Sequence, residues 1–185
     1  MNIPNFISIL RMIAAPVMVW LILDNAILTA FWVFAVAGAS DALDGFIAKK
    51  FNQETEFGKF IDPIADKALL VSVYVSLGNE GYLATWLVIL VVFRDVLIIG
   101  GALLFQTITR SLSMHPMVIS KINTAAQIVL AAMTLGFNGY GINIDQLEDA
   151  TIIFVAATTL ISGAAYVVTW TGRAAEMEDN PSEKG

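Results

Sequence analysis

Six apolar stretches separated by short polar segments constrain this chain more than any other feature of its sequence. The first ends near residue 23, the third begins near residue 58, and the others cover about 27–49, 83–105, 117–137 and 150–170. About 20 apolar residues in a helix cross the roughly 30 Å hydrocarbon core of a bilayer. A hydrophobic content of 57% and a mean hydropathy of +0.74 also exclude an ordinary soluble domain. We therefore predict an all-α integral membrane protein with six transmembrane helices.

The two ends of the chain have a different character. Residues 2–11, with Pro4 near their start, predict a short amphipathic helix that lies along the membrane interface. Residues 173–185 are polar, and we expect a disordered tail there. The interpretation is thus one membrane domain over residues 1–172, with neither a secretory signal nor a separate soluble domain.

The Lys and Arg residues predict the orientation. With six spans, nine of them fall on one side and only Arg94 lies within a span. The positive-inside rule then places both termini at the cytoplasmic face, and we expect a multi-pass protein of the bacterial inner membrane. The net charge of −6 indicates no nucleic-acid partner, and the absence of cysteine excludes thiol catalysis.

Four carboxylates stand out in this apolar sequence. Asp41 and Asp44 are three residues apart and Asp62 and Asp66 four apart, so each pair shares one face of a helix. Four anions at a membrane boundary repel one another unless they are protonated or a cation lies between them. All-oxygen ligands suit magnesium, manganese or calcium, and the lone His115 argues against zinc. A solvated helix end is the alternative for the first pair, but it leaves the second pair unexplained.

The full spacing, D-x2-D-G-x2-A-K-x8-G-x3-D-x3-D, resembles the signature of the CDP-alcohol phosphotransferases, which are membrane enzymes of phospholipid synthesis. Lys49 stands where that family usually has Arg. The resemblance implies two divalent ions, Mg²⁺ or Mn²⁺, with Asp41 and Asp62 bridging both, Asp44 completing one, and Asp66 contacting the other and acting as the general base. It implies CDP-diacylglycerol as the donor, with contacts from Asn5, Gly45, Ala48, Lys49, Thr55 and Gly58.

Residues 116–127 bear on the acceptor. Ile-Ser-Lys-x-Asn-Thr-Ala-x-Gln is similar to the CMP-forming cardiolipin synthases, whereas phosphatidylglycerophosphate synthases commonly carry a second Lys where Asn123 stands. A phosphodiester needs fewer cations than a phosphomonoester, so this resemblance implies phosphatidylglycerol rather than glycerol 3-phosphate. Glycerol 3-phosphate is the alternative acceptor. The candidates for binding the acceptor phosphate are Arg94, Arg110, Ser120, Lys121 and Asn123.

Other interpretations remain for several of these residues. Arg94 and Asp95 form either a structural ion pair or, through Arg94, a lipid-phosphate site. Ser120 and Asn123 are alternatively hydrogen-bonding residues between helices. A cation-coupled transporter is the second functional class, but its charges cluster near the bilayer midplane, whereas these aspartates lie at one edge. Small residues indicate helix packing or homodimer contacts: Gly100, Gly101, Ala125, Ala126, Ala131 and Ala132.

Overall fold

In the part of the chain that the structure describes, six helices form where the sequence has its six apolar stretches. The structure is a computed structural model that describes the backbone of residues 3–51, 56–109, 118–143 and 145–179. It describes the side chains of residues 10, 12–40, 67–101, 118–143 and 146–172. The helices are α1 (Ile3–Leu23), α2 (Ile27–Phe51), α3 (Glu56–Asn79), α4 (Thr85–Thr109), α5 (Val118–Tyr140) and α6 (Asp145–Asp179). The prediction of an all-α protein is confirmed for this part of the chain.

Three residues with left-handed backbone conformation lie in the turns after α1, α3 and α5. Asn25, Gly81 and Gly141 have φ angles of 57°, 81° and 67°. Glycine and asparagine adopt this conformation more readily than other residues, which is why they commonly end helices. These turns fall in the short polar segments that separate the apolar stretches of the sequence.

These three turns lie at the same end of the helix bundle. The Tyr82 hydroxyl donates to the Asn25 side-chain oxygen at 3.5 Å, which joins the first two turns. Gly139, near the end of α5, packs so closely on α2 that a β-carbon there would lie 2.9 Å from the Leu28 Cα. Consecutive helices therefore run up and down, and the beginnings of α1, α3 and α5 lie toward the opposite end.

The core is built from one apolar face of each helix. α1 packs against α2 and α3, α5 against α2, α3 and α6, and α4 against α3 and α6. In α3 the buried hydrophobic residues recur every three or four positions, as a helix with one core face requires. They are Leu69, Leu70, Val73, Tyr74 and Leu77.

The outer surface of the bundle is also apolar. Large hydrophobic side chains such as Phe93, Ile153 and Val168 are each more than 60% exposed. Within the described residues, two segments are long and apolar enough to cross a membrane, Val118–Tyr140 and Gln146–Gly172. Two shorter apolar helical segments are Met12–Leu23 and Ile27–Ser40. An apolar surface of this extent fits a lipid environment better than water.

The ends of the chain differ from the prediction. α1 runs without a break from Ile3 to Leu23, so residues 3–11 are its first turns rather than a separate helix. The reason is that Pro4 lies in the first turn, where its missing N–H costs nothing, and no glycine follows before the apolar segment. α6 continues to Asp179, so residues 173–179 of the expected disordered tail are helical, while the boundary of the membrane domain at residue 172 stays a prediction. The added segment is rich in Ala, Glu and Met, which favour helix.

The small residues divide into two groups. Ala126 and Ala131 are buried in the core, Ala132 packs against it, and Gly101 packs against the ring of Trp170, so these four contribute to packing within the chain. Gly100 and Ala125 are exposed. Homodimer contacts at those two positions stay a prediction.

Candidate functional site

The backbone carries the aspartate motif on two helices. Asp41 and Asp44 lie on α2, and Asp62 and Asp66 lie on α3, at the helical spacing that the sequence predicts. Carboxylates are hard oxygen ligands, so this donor set fits Mg²⁺ or Mn²⁺. Within the described side chains there is no group of three or more residues of metal-binding type. The four aspartate side chains lie outside that part of the structure, as do those of Asn5, Gly45, Ala48, Lys49, Thr55, Gly58 and Arg110.

An ion pair begins directly after the motif. Lys67 follows Asp66 in α3, and its ammonium donates to both carboxylate oxygens of Asp95 in α4, at 2.9 and 2.8 Å. The same ammonium lies 3.5 Å from the Thr124 hydroxyl of α5. The side chain of Lys67 is 22% exposed, whereas that of Asp95 is 1% exposed. The pair thus joins the motif-bearing helix to the interior of the bundle.

Arg94 extends this pair into a network. One guanidinium nitrogen donates to Asp95 Oδ1 at 2.7 Å, and another donates to the hydroxyls of Ser120 in α5 and Ser162 in α6, at 2.7 and 2.5 Å. The Arg94 side chain is only 3% exposed. Four helices, α3 to α6, therefore meet at one hydrogen-bonded network, which is called the α3–α6 network below.

The charges of this network do not cancel. It holds two cations, Lys67 and Arg94, and one carboxylate, Asp95. Removing one member of a buried ion pair is costly, about 3–5 kcal/mol, because it leaves the other charge without a partner. The surplus positive charge lies one residue from Asp66, at the edge of a motif that carries four negative groups. The network therefore complements the motif electrostatically.

Asn123 lies in a second polar contact, between α5 and α6. Its side-chain oxygen accepts hydrogen bonds from Thr158 at 2.9 Å and Thr159 at 2.8 Å, and the residue is fully buried. The Asn123 amide nitrogen and both polar atoms of the Gln127 side chain have no hydrogen-bond partner in the described structure. This contact corresponds to the interhelical hydrogen-bonding alternative.

The candidates for the acceptor phosphate separate in space. Arg94 and Ser120 contact each other, Asn123 is buried against α6, and Lys121 is exposed. The position of Arg94 corresponds to the structural ion pair, since Asp95 and two serines occupy its terminal nitrogens. Phosphate binding by these residues stays a prediction.

The sequence pattern does not identify several members of these networks. Lys67 contributes to the sequence interpretation only as one of the charges that indicate topology, because its partner Asp95 is 28 residues away. Thr158, Thr159 and Ser162 are also absent from the predicted site. Their spacing of three and four residues within an otherwise apolar helix is the available signal, because it places all three on one face.

Comparison with known proteins agrees with this arrangement. The model of the CDP-alcohol phosphatidyltransferase family matches residues 1–170, which include the whole aspartate motif and the α3–α6 network. The match therefore covers nearly the full length of the six helices.

Individual relatives fall into two activity classes. The chain is 35% identical over 189 residues to a chloroplastic CDP-diacylglycerol–glycerol-3-phosphate 3-phosphatidyltransferase of Oryza sativa subsp. japonica, covering 92% of this chain and 57% of the relative. It is 33% identical to a CMP-forming cardiolipin synthase of Homo sapiens, covering 89% of this chain and 60% of the relative. A CDP-diacylglycerol–glycerol-3-phosphate 3-phosphatidyltransferase of Rickettsia typhi is 31% identical over 89% of this chain and 94% of its own length.

The chain thus spans less than two thirds of the plant and human relatives but nearly all of the bacterial one. Together with the motif and the match over residues 1–170, these similarities show that the chain belongs to the CDP-alcohol phosphatidyltransferase family.

Proposed function

We propose that this protein transfers a phosphatidyl group from CDP-diacylglycerol to phosphatidylglycerol, giving cardiolipin and CMP. Family membership supports the transfer reaction and favours an enzyme over a cation-coupled transporter. The observation that carries the choice of acceptor is that Lys121 is the one cationic side chain of α5, because the nearby Asn123 is neutral and fully buried against α6.

The cations near the α5 segment support a singly charged acceptor. Of the three cationic side chains that the structure describes, Lys67 and Arg94 are ion-paired with Asp95, and Lys121 is exposed without an ion pair. A phosphomonoester carries close to two negative charges at neutral pH, whereas a phosphodiester carries one. A single unpaired cation among these described side chains matches the one charge of a phosphodiester, which favours phosphatidylglycerol over glycerol 3-phosphate as the acceptor.

The reaction is a direct displacement at phosphorus. The acceptor hydroxyl attacks the phosphorus that bears diacylglycerol, a new P–O bond forms, and the bond to CMP breaks. Asp66 takes the proton of the attacking hydroxyl as general base, which makes the hydroxyl oxygen a better nucleophile at neutral pH. CMP leaves with the electron pair of the broken P–O bond.

Four carboxylates would hold two divalent cations at this site: those of Asp41, Asp44, Asp62 and Asp66. When bound, such ions neutralise the charge of a diphosphate and of the leaving group. The carboxylates in turn orient the cations. Without cations, the same four groups would repel the diphosphate of the donor.

The membrane location follows from the outer surface. We propose six spans with both termini and the aspartate motif on the cytoplasmic side. Four exposed aromatic residues, Trp20, Trp32, Trp86 and Tyr140, lie near the end of the bundle that carries the turns after α1, α3 and α5. Tryptophan and tyrosine favour the membrane–water interface. This end of the bundle then lies at the face opposite the motif. Most Lys and Arg residues are predicted to lie on the motif side.

Glycerol 3-phosphate is the second candidate acceptor. The names of the Oryza sativa and Rickettsia typhi relatives specify it, and the Rickettsia protein matches this chain in length. These similarities support it as strongly as the human cardiolipin synthase supports phosphatidylglycerol.

The deciding experiment is CMP release by purified protein from CDP-diacylglycerol with each acceptor in the same detergent. We expect release with phosphatidylglycerol, formation of cardiolipin, and only background release without an acceptor. Release with glycerol 3-phosphate but not with phosphatidylglycerol would refute the cardiolipin proposal and establish the alternative acceptor.

A further inference from the structure

Lys67 connects the end of the aspartate motif to the rest of the bundle. It directly follows Asp66 in α3, and two hydrogen bonds to a single carboxylate hold its ammonium. A free lysine side chain is flexible, so this bidentate contact fixes a group that would otherwise move. Because the helix is rigid over one turn, fixing Lys67 also restricts the rotation and axial position of the backbone that carries Asp66 and Asp62.

We propose that Asp95 is a positioning residue for the aspartate motif, acting through Lys67. This proposal rests on the proposed metal-dependent function. A rotation of α3, or a shift along its axis by a fraction of an ångström, would move the carboxylates of Asp62 and Asp66 relative to the two motif carboxylates on α2. Outer-shell partners that orient metal ligands typically change metal affinity or activity by about 10- to 100-fold when they are mutated.

Asp95 is a suitable anchor because it is itself held in place. Arg94 donates to the same Oδ1 atom that accepts from Lys67, and Arg94 is in turn bound to Ser120 and Ser162. Asp95 is 1% exposed, so water competes little for its oxygens. The position of Lys67 is thus fixed by contacts that reach three other helices, α4, α5 and α6, rather than by one flexible neighbour.

Tyr74 provides a matched comparison within the same helix. It lies two turns after Lys67, and its hydroxyl donates to the backbone oxygen of Gln127 at 3.0 Å. Both residues therefore tie α3 to other helices of the bundle, but only Lys67 is next to the motif. Loss of the Tyr74 bond should lower stability without displacing the motif carboxylates.

The test compares Lys67→Met, Asp95→Asn, Lys67→Arg and Tyr74→Phe with the unmodified full-length protein in one detergent. Mn²⁺ binding is measured by electron paramagnetic resonance in the absence of substrate, and kcat and KM are measured separately. Lys67→Met retains the Arg94–Asp95 pair, so it provides the test even if Asp95→Asn does not fold. Thermal unfolding reports the amount of folded protein for every variant.

We expect Lys67→Met and folded Asp95→Asn to weaken Mn²⁺ binding by about 10- to 100-fold and to lower kcat. Lys67→Arg, which keeps the charge, should restore most of both. Tyr74→Phe should lower the unfolding temperature and leave Mn²⁺ affinity unchanged.

Two results would overturn the positioning role. One is a folded Lys67→Met variant with the Mn²⁺ affinity and kcat of the unmodified protein. The other is a loss of Mn²⁺ affinity in Tyr74→Phe equal to that in Lys67→Met, which would indicate general loosening of the bundle. If the unmodified protein binds no Mn²⁺ and releases no CMP, the proposed function fails first, and the positioning role with it.

Discussion

The ring of Trp170 in α6 occupies the space in which a β-carbon at Gly101 of α4 would lie. α4 and α6 therefore approach closely at a point where any residue larger than glycine would require the Trp170 ring to shift. Small residues commonly permit such contacts between helices in membranes, where packing rather than hydrophobic burial drives association. A β-carbon at the neighbouring Gly100 would meet no atom within 4 Å. The two glycines are adjacent in the same helix but differ in what surrounds them.

Gly101→Ala should destabilise the protein, and Gly100→Ala should not. Overpacking at Gly101 is expected to cost about 1–3 kcal/mol, because the Trp170 ring must shift. Alanine at Gly100 adds helix propensity, worth roughly 0.5–1 kcal/mol in favour of the folded state. Thermal unfolding of both variants in detergent measures the difference. Equal effects at the two positions would contradict the Gly101–Trp170 contact, and Trp170→Leu should relieve the Gly101→Ala variant.

Helix positions are more predictable from the sequence than side-chain partners. Long apolar stretches and the residues Asn25 and Gly81 mark helices and turns locally, so α2 to α5 begin and end within a few residues of the prediction. The end of α6 differs from the prediction because its last segment is polar, and hydropathy does not report helix propensity.

The partners of the buried charges depend on how the helices pack. Arg94 and Asp95 are visible as charges within an apolar stretch, but nothing in their local sequence identifies Lys67, Ser120 or Ser162 as their partners. Those contacts join residues 26 to 68 positions apart. The role of Asn123 is ambiguous in the sequence for the same reason, since the pattern does not tell which face of α5 meets α6.

Cysteine labelling tests the proposed topology. The chain has no cysteine, so each engineered cysteine gives an unambiguous signal. Asp24→Cys lies in the turn after α1, and Gly172→Cys lies toward the opposite end of the bundle; both positions are exposed. In intact bacterial cells, a membrane-impermeant maleimide should label Asp24→Cys, and it should label Gly172→Cys only after permeabilisation. Labelling of both positions from the same side would contradict six spans.

Asp66→Asn tests the assignment of the general base. The amide keeps the size of the side chain but cannot accept a proton at neutral pH, so we expect CMP release to fall by at least about 10²-fold. The folded state should be retained, as thermal unfolding would show. A near-normal rate in Asp66→Asn would remove this residue as the base.

Chelation of divalent cations should also abolish the activity of the unmodified protein, with recovery on adding Mg²⁺ or Mn²⁺.

Asn123→Lys separates a packing role from an acceptor-binding role. Asn123 is fully buried and accepts hydrogen bonds from Thr158 and Thr159, so a lysine there would bury a charge that the described structure does not pair. We expect destabilisation of about 3–5 kcal/mol, as for an uncompensated buried charge. Thr159→Val, which removes one hydrogen bond to Asn123, should cost only about 1 kcal/mol.

The same variant should not gain activity with glycerol 3-phosphate, because a buried ammonium cannot reach the phosphate of an acceptor. Thermal unfolding and CMP release with both acceptors provide the two measurements. Lys121→Gln is the matched variant on the exposed side of α5, and it should keep the stability of the unmodified protein. If Asn123→Lys instead folds normally and releases CMP with glycerol 3-phosphate, then residue 123 faces the acceptor, and its contact with α6 does not represent the working enzyme.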